Sequence, residues 1–145
     1  MLEGVQYSIY DLADIPLDTS GLGIKKTDYL VKFSGRLSPY SNFSPYGFTL
    51  DDVKYTCVEQ HYQSARAKFL GDQSTAMEIM CEKDPVTMKH KGDAVKDPGN
   101  KWKTKARDVM YHGTHAKFSQ SPDLMALMDA TGDRTFVECN IYDRI

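Results

Sequence analysis

The stretch Tyr55–Phe69, YTCVEQHYQSARAKF, marks the point where the chain changes character. Val58, Tyr62, Ala65 and Phe69 recur at i, i+4, i+7 and i+11, the spacing of one helix face, and predict an apolar stripe along a helix. Strand patterns lie before this stretch and helical patterns after it. The one carboxylate inside it, Glu59, sits among aromatic and basic side chains and raises the question of function.

Working back from Tyr55, GFTLDDVKYT predicts a hairpin, with Phe48–Leu50 turning at Asp51-Asp52 into Val53–Tyr55. Further upstream, DYLVKF (Asp28–Phe33) alternates apolar and polar residues as a half-buried strand does. Between them SGRLSPYSNFSPYG is dense in Gly, Pro, Ser and Asn and reads as a loop. It also carries Tyr40, Phe43 and Tyr46, which is aromatic for a plain connector.

Working forward, Gly71-Asp72 closes the first helix and opens a second with Ala76, Met77, Ile79 and Met80 as its stripe. Asp84-Pro85 is a helix start, with Asp at the N-cap and Pro at the first helical position, and Asp97-Pro98 and Ser121-Pro122 repeat the device. Trp102, Ala106, Val109 and Gly113 line a helix running to about Lys117, and Leu124, Leu127 and Met128 line another that ends before Gly132. RTFVECNIYDRI then reads as a strand and an open end. Strands first and helices later predict an α+β fold, with small N-terminal antiparallel strands packed with four to five helices. Residues 1–28, acidic and then Gly-rich, read as an N-terminal extension with at most a short strand near Val5–Ile9, and residues 29–145 as one domain.

The bulk numbers narrow the function classes. A chain of 145 residues with 41% apolar and 26% charged residues is an ordinary globular domain with room for one core. A net charge of −2 supplies no overall pull toward nucleic acid or an anionic membrane. Cys57, Cys81 and Cys139 are odd in number and contain no CxxC, which speaks against a disulfide framework or a structural zinc and for reduced thiols. The first residues carry no basic region leading into an apolar run, and no apolar stretch approaches the ~20 residues that span a bilayer. The expectation is a soluble, cytoplasmic protein.

Two readings of Glu59 follow from the residues. Thr56-Cys57-Val58-Glu59 matches the capping box S/T-x-x-E, in which the Glu reaches back to the Thr N–H, a contribution of about 1 kcal/mol. Alternatively, Glu59 and Arg66 share one flank of the stripe, with His61 and Lys68 on the other, and a carboxylate at that edge can face a cleft. The residues leave both open. Cys57 and His61, four apart, could pair as thiolate and imidazole, but Cys is usually a small core residue. His112-x-x-His115 has no third ligand or HExxH context for a metal. Gly21-Leu22-Gly23 fails the dinucleotide fingerprint because no helix follows it. Trp102, the single tryptophan, is a core anchor or a platform for a flat heterocycle. Lys89 and Lys91 beside Gly92 are a solvated helix face or a phosphate contact.

LSPYSNFSPYGFTLDDVKYTCVEQHYQSARA, followed in order by FLGD, PVTMKHKG, NKWKTKARDVM, KFSQSPDLMALMDATGDRTFVECN and YDRI, resembles the NADAR superfamily, the YbiA-like N-glycosidases. The resemblance runs from about Phe33 to Ile145. It rests on the Ser-Asn-Phe loop, the V-E-x-x-Y-Q helix, and the late Thr-Gly-Asp and Tyr-Asp-Arg taken as a set. It implies an α+β fold and hydrolysis of an N-glycosidic bond without cofactor or metal. The implied substrate is a phosphorylated ribosyl-aminopyrimidine of riboflavin synthesis or, as in some relatives, ADP-ribose on guanine bases of nucleic acid.

The resemblance also implies roles. The family's essential carboxylate falls on Glu59, its Trp on Trp102, its late Asp on Asp143, its loop motif on Asn42 and Phe43, and its basic position on Lys89. On that footing Glu59 is catalytic, stabilising positive charge at ribose C1′ or activating water. Asp143 is its partner, Trp102 and Phe43 stack on the base, and Lys89 neutralises phosphate. Arg66 replaces a family Lys for which a Schiff base with opened ribose has been suggested. A guanidinium binds phosphate but forms no imine. Gly92-Asp93 replaces Gly-Arg and reverses a charge. The family continues past Tyr-Asp-Arg with a Trp-Gly-rich loop and a closing helix, so a truncated form or a dispensable segment is the expectation. Two rival functions follow from these departures. One is a degenerate module that binds ADP-ribose or a related nucleotide without cleaving it. The other is an interaction protein whose partner supplies the remaining segment.

Overall fold

The computed structural model of the chain describes Ile24–Lys26, as backbone, and residues 29–138. Two compact units divide it: one holds the chain up to Ser44 together with the chain from Asp123 onward, the other Pro45–Pro122. The expected strand near Val5–Ile9 lies outside the described residues.

The first unit is built on a three-stranded sheet in the order β1-β2-β5, with β1 Ile24–Lys26, β2 Leu30–Phe33 and β5 Thr135–Glu138. β1 runs antiparallel to β2 with Ile24 opposite Phe33, so three residues of the segment read as an extension join the sheet. β5 runs parallel to β2, Leu30 opposite Thr135. A parallel pair needs a long crossover, and here the whole second unit is spliced into it. That pairing joins segments about a hundred residues apart, which local alternation does not encode. β2 is the middle strand, and it buries Lys32 as fully as Val31 and Phe33, where the alternating pattern predicts a half-exposed strand. Tyr40 packs between Phe33 and Phe136, with ring centroids 5.6 and 4.9 Å away. The expected loop is a series of tight turns, Ser38 N–H to Gly35 O, Ser41 N–H to Ser38 O and Ser44 N–H to Ser41 O, which places these three serines inside.

The second unit opens with the hairpin the sequence predicts, β3 Phe48–Leu50 and β4 Val53–Tyr55. Asp51 and Asp52 both adopt positive φ, 50° and 63°, the requirement of a type I′ turn whose twist matches the strands. On the other edge of β3 the Gln120 amide stands in for a strand: it accepts from Thr49 N–H at 2.9 Å and donates to Thr49 O at 2.6 Å. Four helices follow: α1 Val58–Phe69, α2 Gln73–Cys81, α3 Pro85–Asp93 and α4 Lys103–Ser119. A fifth, α5 Pro122–Asp129, leads back to the sheet.

α1 is the hub, packed by α2, α3, α4 and β4. Its burial departs from the expected stripe. Glu59, Gln60, His61, Gln63, Ser64 and Ala67 are buried with Val58, whereas Phe69 is 42% exposed. Three helices surround it, so nearly all faces of its first half are enclosed, and polar side chains there are tolerated because they find hydrogen bonds. Apolar packing lies to either side. Cys57, Ala67, Ala76, Ile79 and Met88 form one cluster, and Phe48, Val58 and Ala116 another. Asp84 caps α3 as expected, accepting from Val86 N–H at 3.1 Å. Asp97-Pro98 does not start α4. Pro98 begins a turn, and the Asp97 carboxylate reaches on to the N–H groups of Lys101 and Trp102 at 2.8 and 2.9 Å. No helix among the described residues is long and apolar enough to cross a membrane.

Candidate functional site

The capping-box reading of Glu59 fails by one residue. α1 starts from Cys57 rather than Thr56, which puts Gln60, not Glu59, at the third helical position. Gln60 Oε1 accepts the Thr56 N–H at 2.9 Å and lies 3.2 Å from the Thr56 hydroxyl, while its Nε2 donates to Ile79 O and Met80 O, both at 3.2 Å. The amide therefore closes the first turn and ties it to the end of α2. Glu59, 6% exposed, is released from that duty.

What holds Glu59 is one turn along its own helix. Gln63 Nε2 donates to Glu59 Oε1 at 2.9 Å and to Asp93 Oδ1, from the end of α3, at 3.2 Å. Asp93 Oδ2 in turn accepts from Lys89 Nζ at 2.9 Å, an i,i+4 pair half open to solvent. The Lys89 ammonium is held above the usual lysine range, first by the hydrogen bond to Asp93, with burial opposing and with Glu59 and Tyr62 among the smaller contributors. Two predicted site residues, Glu59 and Lys89, thus share one electrostatic neighbourhood. Arg66 adjoins it in a different way. Its Nη1 donates to Gly92 O and, at 2.9 Å, to Val95 O, so the guanidinium clamps the last turn of α3.

Trp102 is 6% exposed, and its indole Nε1 donates to the Tyr62 hydroxyl at 3.0 Å. Tyr62 meets its ring edge to face at 5.4 Å and Phe69 packs at 5.7 Å, so an aromatic group stands beside the Glu59 helix. Asn42 and Phe43, both half-buried, belong to the serine-turn loop of the first unit, where Phe43 N–H donates to Ser41 Oγ at 3.1 Å. Asp143 lies outside the described residues. In the first unit the Thr131-Gly132-Asp133 turn, with Tyr29, Leu30, Arg134 and Thr135, lines an open cavity of about 380 Å³.

The thiolate–imidazole pairing does not form. Cys57 Sγ lies 3.9 Å from Met88 Sδ in the core, and burial pushes its thiol up. His61 directs Nε2 to Val109 O at 3.0 Å, where only a protonated Nε2 can bond a carbonyl, and burial lowers its pKa. Sequence reasoning missed Gln63, although its i+4 offset from Glu59 was a signal that it could reach the carboxylate. It also missed Lys117, which is 1% exposed, with Nζ 5.6 Å from the Tyr46 ring and 5.0 Å from the Phe118 ring. Burial lowers that amine to about 8.

The comparisons with known proteins fit this architecture. The family model described as the NADAR domain matches residues 30–145. The chain belongs to the NADAR family. Among curated relatives, Protein irg-1 of Caenorhabditis elegans is 31% identical over 137 residues, covering 83% of this chain and 65% of that protein. N-glycosidase R617 of Acanthamoeba polyphaga mimivirus is 32% identical over 106 residues, covering 72% of this chain and 62% of that protein. This NADAR chain therefore spans slightly under two thirds of each relative's length. The NMR structure of the E. coli protein YbiA superposes with a TM-score of 0.70 at 22% identity, covering 89% of this chain and 77% of that one. That likeness establishes a shared fold, and the α+β class expected from the sequence is the one observed.

Proposed function

We propose that the chain is an N-glycosidase that hydrolyses the bond between ribose C1′ and a base nitrogen in a ribosylated, phosphate-bearing nucleotide metabolite. The observation that carries this reading is Glu59. It is a nearly buried carboxylate relieved of helix capping by Gln60 and held by Gln63. Burying a carboxylate is costly unless hydrogen bonds hold it, and a cap would have explained it at no functional cost. Membership of the NADAR family, and a relative named N-glycosidase, support the reaction class.

Cleavage of the C1′–N bond sends the bonding pair to the base and leaves positive charge shared between C1′ and the ring oxygen. An ionised Glu59 stabilises that charge or takes a proton from the attacking water. The water oxygen ends on C1′ and a proton ends on the base nitrogen. In this reading Lys89 serves the phosphate and Trp102 the base, and the resemblance assigns Arg66 to the phosphate, Asn42 and Phe43 to the base and Asp143 to the water. The substrate is a ribosylaminopyrimidine phosphate of riboflavin synthesis or an ADP-ribose-type group, carried free or on a nucleic acid. No cofactor or metal enters the reaction, and the setting is cytoplasmic.

One observation favours a second reading, a module that binds such a nucleotide without cleaving it. Arg66 occupies the position of the family's lysine, forms no imine, and donates from Nη1 to Gly92 O and Val95 O. Chromatography separates the two. The purified chain is incubated with the ribosylaminopyrimidine phosphate, NAD, ADP-ribose and ADP-ribosylated guanine DNA. Released base identifies an N-glycosidase and its substrate. Bound but intact ligand identifies the binding module.

A further inference from the structure

Gln63 is a buried polar residue of α1 whose hydrogen bonds converge on Glu59 and Asp93. Its side-chain amide has two N–H groups, and both are used, one on Glu59 Oε1 and one on Asp93 Oδ1. Chemistry fixes this orientation, because a flipped amide would point its oxygen at two carboxylates. The consequence is an acceptor left over. Gln63 is 1% exposed, and among the described residues its Oε1 finds no hydrogen-bond partner, which leaves a buried acceptor desolvated without compensation. A buried group left in that state calls for a compensating reason.

The neighbouring helix is shaped to keep the amide there. A β-carbon on Gly92 would fall 1.9 Å from Gln63 Oε1 and 2.6 Å from Gln63 Cδ, so glycine makes the space the amide occupies. The carbonyl of the same glycine is held by Arg66. The next residue, Asp93, is the one that receives the second N–H. Arg66 and Asp93, the two departures from the family pattern, are therefore parts of one arrangement: the first fixes the end of α3, and the second uses that end to hold Gln63.

We propose that Gln63 and Asp93 are positioning residues for Glu59, Gln63 Nε2 fixing the carboxylate by donating to Glu59 Oε1, and Asp93 fixing Gln63 and placing a second negative charge one amide away. The proposal rests on the reading of Glu59 as the reacting carboxylate. Lys89 on α3 offsets the Asp93 charge and also senses Glu59. Cys57, at the N-cap of α1, senses the Glu59 charge, and Tyr62 of α1 acts on Lys89. His112 of α4 and Asp51 of the hairpin act on His61, on the opposite flank of α1, and Glu78 of α2 faces Lys91. Among the described residues, Asp93 is thus the negative charge tied to Glu59 through a single shared amide.

Two near-isosteric variants test this in opposite directions. Asp93→Asn keeps an acceptor for Gln63 and deletes the charge, so ionisation of Glu59 moves to lower pH. Gln63→Glu replaces the shared donor with a third carboxylate, so ionisation moves to higher pH. Carboxyl-13C NMR of the Glu-labelled full chain reads this titration without any substrate, with the Glu59 signal assigned by its loss in Glu59→Gln. On a cleaved substrate the acid limb of kcat moves with it, and Gln63→Leu lowers kcat at least tenfold with KM within threefold. Titration curves that coincide in Asp93→Asn and the parent chain overturn the proposal, and Asp93, at a half-exposed site, can be changed without threatening the fold. A shifted titration in a chain that cleaves none of the panel leaves the positioning intact and removes the N-glycosidase reading instead.

Discussion

Gln60 Oε1 accepts the backbone N–H of Thr56 at 2.9 Å while its Nε2 serves Ile79 O and Met80 O, so one buried amide joins the start of α1 to the end of α2. Replacing it with leucine keeps the volume and orphans groups on both helices. Gln60→Leu is expected to lose about 2–3 kcal/mol of stability. Urea unfolding measures this. A loss below about 0.5 kcal/mol, the level of an ordinary surface change, would mean that the amide is not the tie.

The hairpin turn offers the reverse effect. Asp51 and Asp52 both sit at positive φ, where a β-carbon is strained and glycine is not. Asp52→Gly is expected to raise stability by about 0.5–1 kcal/mol, since Asp-Gly is the preferred type I′ pair. Thermal unfolding should show a higher Tm, and an unchanged or lower Tm would show that Asp52 makes a compensating contact.

Gly113 exists for His61. A β-carbon there would lie 2.5 Å from His61 Cδ2, so Gly113→Ala must push the ring off Val109 O. The expected cost is about 1–3 kcal/mol, as for other overpacked cores. If Gly113→Ala and Gly113→Ala/His61→Ala are both made, the double variant should recover part of the clash, and strict additivity of the two changes would contradict the contact.

Lys117 gives the fold a pH dependence. Its amine titrates at about 8 in the fold against 10.5 for a free lysine, because burial penalises the charge. Between those values the unfolded chain binds the extra proton, so stability rises as pH climbs from about 8 toward 10.5, and below about 8 the full penalty is present. The shift corresponds to about 3 kcal/mol across the window. Urea midpoints of the parent chain and Lys117→Met, measured across that range, should differ in slope, the parent rising relative to the variant. Parallel curves would contradict a buried, depressed lysine.

The elements legible in the sequence were those encoded locally. Asp51-Asp52 between alternating residues gave the hairpin to the residue, and Asp84-Pro85 gave the start of α3. The β2–β5 pairing was not legible, because it depends on registry between distant segments. The buried face of α1 is not legible from periodicity, which assumes one apolar side, because this helix is enclosed by three others. At the site, Glu59 was legible as a residue and ambiguous as a role. A one-residue shift in where α1 begins decided against the cap, and propensity rules do not resolve single residues at helix ends. The reach of Gln63 to Glu59 was legible in their i+4 offset, but its bond to Asp93 was not, because another helix delivers that carboxylate.

Whether Glu59 does chemistry rather than architecture is read from the single-turnover rate of base release by Glu59→Gln beside the parent chain. Glutamine keeps an acceptor for the Gln63 N–H, so the fold should unfold at the same urea concentration. The expected result is a rate reduced by about 10²–10⁴ with ligand affinity within a few fold, the loss typical of a deleted acid–base or charge-stabilising group. Base release at the parental rate by a folded Glu59→Gln chain would contradict the account.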